Sequence, residues 1–84
     1  MIVGKVVSTV VSSRKYDSLQ GLKLLVVQPY HGDKENYFIA ADEMGAGIGE
    51  LVLITTGEVI KYALNKNAPV DAVVVGILDK EPSF

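Results

Sequence analysis

The sequence predicts a mainly β fold: a small five-stranded OB-like β-barrel with one short α-helix between strands four and five. Three observations carry this. Apolar, β-branched runs recur along the chain, separated by polar, glycine- or proline-containing connections. With 84 residues the chain makes one domain, 1-84, too short to bury a two-faced sheet under a layer of helices. Closing the strands on one another is the economical way to limit exposed edges.

The first strand spans Ile2 to Ser12 and is dominated by valine. Its apolar residues fall on both faces: Ile2, Val6 and Val10 on one, Val3, Val7 and Val11 on the other. In so short a chain, that pattern points to a second chain covering the outer face. The polar stretch from Ser12 to Gly21 is a connection, with Leu19 as its inward anchor. Leu22 to Gln28 is the second strand, and Pro29 ends it by removing a ladder donor. A charged loop, Tyr30 to Asn36, leads to the third strand, Tyr37 to Ala41, with Tyr30 and Tyr37 packing at the hairpin base and His31 solvated.

Leu51 to Thr55 is the fourth strand and Thr56-Gly57 a turn. The period then changes. Val59, Ile60, Ala63 and Leu64 recur at helical spacing, with Glu58 early and Lys61 and Lys66 late, matching a helix dipole. That predicts a helix of about two turns from Glu58 to Asn65. Val70 to Leu78 is the fifth strand and Asp79 to Phe84 a polar tail.

Composition narrows the function. There is no cysteine, so disulfides and thiolate metal sites are excluded, and a lone His31 builds no imidazole cluster. No metal or cofactor is expected. A net charge of −2 with scattered lysines is a poor footprint for nucleic acid or an anionic membrane. No apolar run approaches the ~20 residues that cross a bilayer, and the first residues lack the pattern of a signal peptide. A cytoplasmic location is the default. A chain this small has a marginal core, and its 49% hydrophobic content points to association as the remaining stabilising device.

The chain is organised around Asp42-Glu43-Met44-Gly45-Ala46-Gly47-Ile48-Gly49-Glu50. Three alternate glycines superficially match a dinucleotide fingerprint, but the last spacing is short by one residue and a strand follows. Without a helix N-terminus, the free N–H groups that hold a pyrophosphate are missing. Asp42, Glu43 and Glu50 flank the loop, and Asp71 and Asp79 the last strand. A small hydrolase could use Asp42 or Glu50, yet no cleft is visible, and such carboxylates ordinarily cap turns, accept backbone N–H bonds or meet lysines across an interface. A barrel of this architecture also admits an alternative, a single-strand nucleic-acid-binding OB-type module, for which Lys23, Tyr37 and Phe38 are the few available residues. Packing remains. A loop with so little side-chain bulk lets a neighbouring backbone approach closely.

Four blocks then resemble a known family in order and spacing. They are Ile2-Val3-Gly4-Lys5-Val6-Val7, Lys15 through Leu19-x-Gly21-x-Lys23 to Pro29, Ala41-Asp42-x-x-Gly45-Ala46-Gly47-x-Gly49-Glu50-x-Val52-Leu53, and Pro69 to Asp79. They resemble the bacterial microcompartment vertex proteins of the EutN/CcmL type. The resemblance implies a barrel that assembles into a homopentamer. In the family such pentamers cap the fivefold vertices of a polyhedral shell, a carboxysome or metabolosome, tiled mostly by hexameric shell proteins. It implies a structural role without catalysis, and a place in the microcompartment shell. It also implies that Gly45, Ala46, Gly47, Gly49 and Glu50 contribute to the subunit interface. The segment Thr55 to Ile60 is bulkier than in other members, and the Tyr30 to Tyr37 loop is one that varies among them.

Overall fold

A computed structural model describes residues 1–10, 22–57 and 70–82. Five strands form, β1 (Ile2–Thr9), β2 (Lys23–Pro29), β3 (Phe38–Asp42), β4 (Leu51–Thr56) and β5 (Ala72–Leu78). They close into a barrel in the order β1-β2-β3-β5-β4, with β4 returning to β1. All neighbours are antiparallel except β3 and β5, which pair parallel at Ala41 and Val73. This is the expected five-stranded OB-like β-barrel. The predicted helix from Glu58 to Asn65, the end of the first strand and the Ser12 to Gly21 connection lie outside the described residues.

The interior is built by alternation. Val6, Leu25, Val27, Ala40, Val52, Ile54, Ala72 and Val74 point inward and form one buried cluster with Ala46. Burying a valine, leucine or isoleucine side chain contributes about 1.5–3 kcal/mol each, so a few such residues dominate the stability of a small barrel. Gly4 faces the same interior, and a Cβ there would overlap Val27 Cγ1 while standing 3.2 Å from Gln28 O. Glycine at this position is a packing requirement.

Two bulges account for part of the two-faced sequence pattern. The β1–β2 register shifts between Val6 and Ser8, leaving Val7 as an extra residue. The β4–β5 register shifts between Leu53 and Ile54, leaving Val75 unpaired. An inserted residue reverses the parity of everything beyond it. In β5 the inward set thus runs Ala72, Val74 and then Ile77, which packs against the interior cluster. The rest of the pattern is an outer cluster, Leu22, Ala41 and Val73, with Leu24, Val70 and Val75 packed against it.

The β2–β3 loop is held by Asp33, whose Oδ1 accepts the Glu35 N–H at 2.9 Å and whose carbonyl accepts the Asn36 N–H at 3.1 Å. Pro29 is the last strand residue, as its missing donor requires. His31 is exposed at the loop and meets Tyr30 edge-on, with ring centroids 4.8 Å apart. Tyr37 departs from expectation. It does not pack at the hairpin base but stands 53% exposed, one residue before β3 begins.

Candidate functional site: the glycine loop

The connection from Asp42 to Leu51 must travel between strands that are not neighbours. Its contacts show the route, past the first residue of β2 and along β1 to the start of β4. Asp42, the last residue of β3, is only 3% exposed. Its Oδ1 accepts the Met44 N–H and its Oδ2 the Ala46 N–H, each at 2.7 Å. This is the turn-forming use of a carboxylate anticipated from its place before a glycine turn. Gly45 takes φ +87°, a left-handed conformation that a Cβ would strain.

The chain then dips inward. Ala46 is completely buried and joins the interior cluster, so the loop plugs one mouth of the barrel with a single methyl group. The Ala46 carbonyl accepts a hydrogen bond from Lys23 Nζ at 2.6 Å. Beyond the plug, the Gly47 N–H donates to Glu50 Oε1 at 2.7 Å and the Glu50 N–H donates back to Gly47 O at 3.1 Å. The Gly49 N–H meets Val6 O at 2.8 Å and the Val6 N–H meets Glu50 O at 3.0 Å. These two bonds extend the β1–β4 ladder beyond its last pair, Lys5 with Leu51.

The N–H groups of Met44, Ala46, Gly47 and Gly49 all donate within the chain, so none of these four is free to hold a phosphate. Both Asp42 oxygens and Glu50 Oε1 accept those bonds, which ties these two carboxylates to the backbone. The nucleic-acid reading fares no better. Lys23 is engaged at Ala46 and Phe38 is packed against the interior, leaving Tyr37 alone as an exposed ring.

The loop brings Gly45, Ala46, Gly47, Gly49 and Glu50 together at one end of the barrel. Ala46 has no surface to offer a neighbour, whereas Gly45, Gly49 and Glu50 are exposed. Sequence reasoning passed over the loop's two large apolar side chains. Met44 is 53% and Ile48 68% exposed, flanking the plug. The available signal was an apolar residue in a turn held by alternating glycines, where no strand or helix parity could bury it. A second exposed apolar pair is Ile39, on the outer parity of β3, and Tyr37, just before the strand.

Beside the loop runs a groove of about 550 Å³, lined by Lys5, Tyr30, Lys34, Glu50, Asp79 and Glu81 among others. Loss of solvent, and then the charge and hydrogen bond of Glu81, push the Tyr30 hydroxyl above the usual tyrosine range. The mixed charges of this groove select no single ligand class.

The family model described as ethanolamine utilisation protein EutN/carboxysome matches residues 1–79. The chain belongs to the EutN/CcmL family. Among its relatives is the carboxysome shell vertex protein CcmL of Thermosynechococcus vestitus, 41% identical over 83 residues, which span 94% of this chain and 84% of that protein. The structure of CcmL from Gloeobacter violaceus superposes with a TM-score of 0.87 at 39% identity, covering 99% of this chain and 90% of that one. The pentameric microcompartment shell protein GrpN from Rhodospirillum rubrum matches at a TM-score of 0.83 and 37% identity, over 100% and 99% of the two chains. The EutN/CcmL barrel is thus shared end to end with a protein that is itself pentameric.

Proposed function

We propose that this chain is a shell vertex protein: a homopentamer that caps the fivefold vertices of a polyhedral bacterial microcompartment. The observation that carries this is its similarity along the whole length to the pentameric shell protein GrpN. The role is structural rather than catalytic. The protein sits within the microcompartment shell in the bacterial cytoplasm, beside the hexameric proteins that tile the facets. Flat hexagonal layers close into a polyhedron only where fivefold units replace hexamers, and a head-to-tail contact yields a closed ring when its rotation completes the circle.

The glycine loop is one side of that contact. Gly45, Gly47, Gly49 and Glu50 form its low-bulk surface, Ala46 shapes it from inside, and Met44 and Ile48 supply apolar area. A head-to-tail ring needs two unlike surfaces on every subunit. Ile39, exposed on β3, and Tyr37, exposed just before it, offer the second to the next copy of the chain. The test is the mass in solution. Size-exclusion chromatography with light scattering is expected to return the mass of five 9.0 kDa chains. A stable monomer at micromolar concentration would overturn the reading.

A further inference from the structure

Lys23 and Asp42 face each other in register across β2 and β3, at the point where the glycine loop leaves the sheet. Both act on the same residue, Ala46, through the peptide groups on either side of its Cα. Asp42 Oδ2 accepts the Ala46 N–H at 2.7 Å, and Lys23 Nζ donates to the Ala46 carbonyl at 2.6 Å. The residue between those two groups is wholly buried, while Met44 and Ile48 on either side are largely exposed. Asp42 Oδ1 also fixes the Met44 N–H.

We propose that Lys23 and Asp42 are positioning residues for subunit assembly. Together they clamp Ala46, lock its methyl into the barrel mouth, and so fix the loop in the one conformation that presents Met44 and Ile48 to the neighbouring subunit. The physical argument is preorganisation. A loop rich in glycine has many conformations to lose, and a contact made by a loop already ordered avoids that cost at the moment of binding. The Lys23 and Asp42 bonds use groups that carry full charge, the stronger kind of hydrogen bond. Lys23 is an exposed residue of β2 whose ammonium reaches the loop at the Ala46 carbonyl. This inference rests on the reading of the loop as a subunit joint.

The test compares Lys23→Met and Lys23→Arg with the unaltered full-length protein in two measurements. The first is hydrogen exchange of the loop peptide, read against exchange of the β4 strand. The second is the concentration at which the pentamer dissociates on dilution. Lys23→Met is expected to speed loop exchange at least about tenfold and raise the dissociation midpoint at least about tenfold, with Lys23→Arg recovering much of both. Loop exchange unchanged in Lys23→Met would overturn the clamp. Faster exchange with an unchanged midpoint would overturn its part in assembly. If Lys23→Met does not fold, Asp42→Asn supplies the same comparison, because it keeps the shape and removes one acceptor. Ile48→Asp serves as the separate control. If both it and Gly47→Trp keep the native mass, the loop-as-joint reading fails, whatever Lys23 does.

Discussion

Gly4 and Val27 contend for the same space inside the barrel: a Cβ on Gly4 would overlap Val27 Cγ1. Ile54 Cδ1 stands 3.5 Å from that point, so the wall opposite cannot recede freely. Gly4→Ala is therefore expected to destabilise the protein by about 1–3 kcal/mol, the range for overpacking a dense core. Gly4→Ala combined with Val27→Ala should cost less than the sum of the two single changes, since the second removes the obstructing methyl. Thermal denaturation at one fixed protomer concentration measures this, because assembly makes the midpoint concentration-dependent. Strict additivity would show that the two positions do not share the space.

The strands were legible because β-branched residues and breakers such as Pro29 act locally, and the observed limits of β3, β4 and β5 differ from expectation by no more than two residues. The valines of β1 carried two causes at once. Apolar residues on both parities pointed to a second chain covering the outer face, and a bulge at Val7 accounts for some of that pattern. A bulge is a property of two strands in register and leaves no mark in one strand's sequence. The loop's glycines and Asp42 were readable as a turn. That Ala46 plugs the barrel was not, since the deciding contact, from Lys23, comes from 23 residues away. Tyr37 was misplaced for a related reason: the β2–β3 pairing begins only at Phe38, which leaves Tyr37 just before the strand and exposed.

Ala46 provides a direct test of the plug. Ala46→Gly should lower stability by roughly 1 kcal/mol, from the lost methyl and the added freedom of a third consecutive glycine. Ala46→Leu should do worse, because the barrel mouth has room for one methyl and a larger side chain must expel the loop. In that variant, exchange at Gly47 and Gly49 is expected to rise while the strand amides keep their protection. Equal stability of Ala46→Leu and the parent would mean that the mouth holds unused space.

The Tyr30 hydroxyl carries a pH prediction. Loss of solvent and the nearby Glu81 carboxylate both raise its pKa above the ordinary value of 10.0. A raised folded-state value means that the folded protein holds the proton more tightly than the unfolded chain does. The associated stability is fully present below pH ~10 and is lost as pH climbs through the raised value. Ultraviolet titration, with Tyr30→Phe as the reference, should show the Tyr30 phenol ionising late, and Glu81→Gln should bring it back toward the ordinary range. Titration unaltered by Glu81→Gln would assign the shift to loss of solvent alone.

Ile39 tests the second surface of the ring. Because it stands 44% exposed on the outer parity of β3, Ile39→Asp leaves the interior untouched and should preserve the barrel's circular dichroism. If β3 meets the next subunit, the buried charge should weaken the pentamer at least about tenfold, that is by at least about 1.4 kcal/mol per contact. Retention of the native mass by light scattering would remove β3 from the interface.

The glycine loop itself is best probed at Gly47 and Ile48 rather than at Gly49. Gly49 has φ +92°, so any side chain there strains the backbone, and loss of assembly would not separate a blocked contact from a distorted loop. Gly47 lies outside the left-handed region, and a Cβ built on it comes no nearer than 3.4 Å to Glu50 Oε1. Gly47→Trp therefore adds bulk with little backbone strain, and Ile48→Asp adds charge at a side chain that is 68% exposed. Both should keep the strand spectrum, since neither position contributes to the interior cluster. Both should also lose the pentamer in light scattering, the first by obstructing close approach and the second by burying an unpaired carboxylate at the contact. Loss of the ring in Ile48→Asp alone would make Ile48 the contact and leave the glycines as turn chemistry. Loss in Gly47→Trp alone would point to backbone approach as the joint. Survival in both would take the loop out of the interface and leave it as the plug of the barrel.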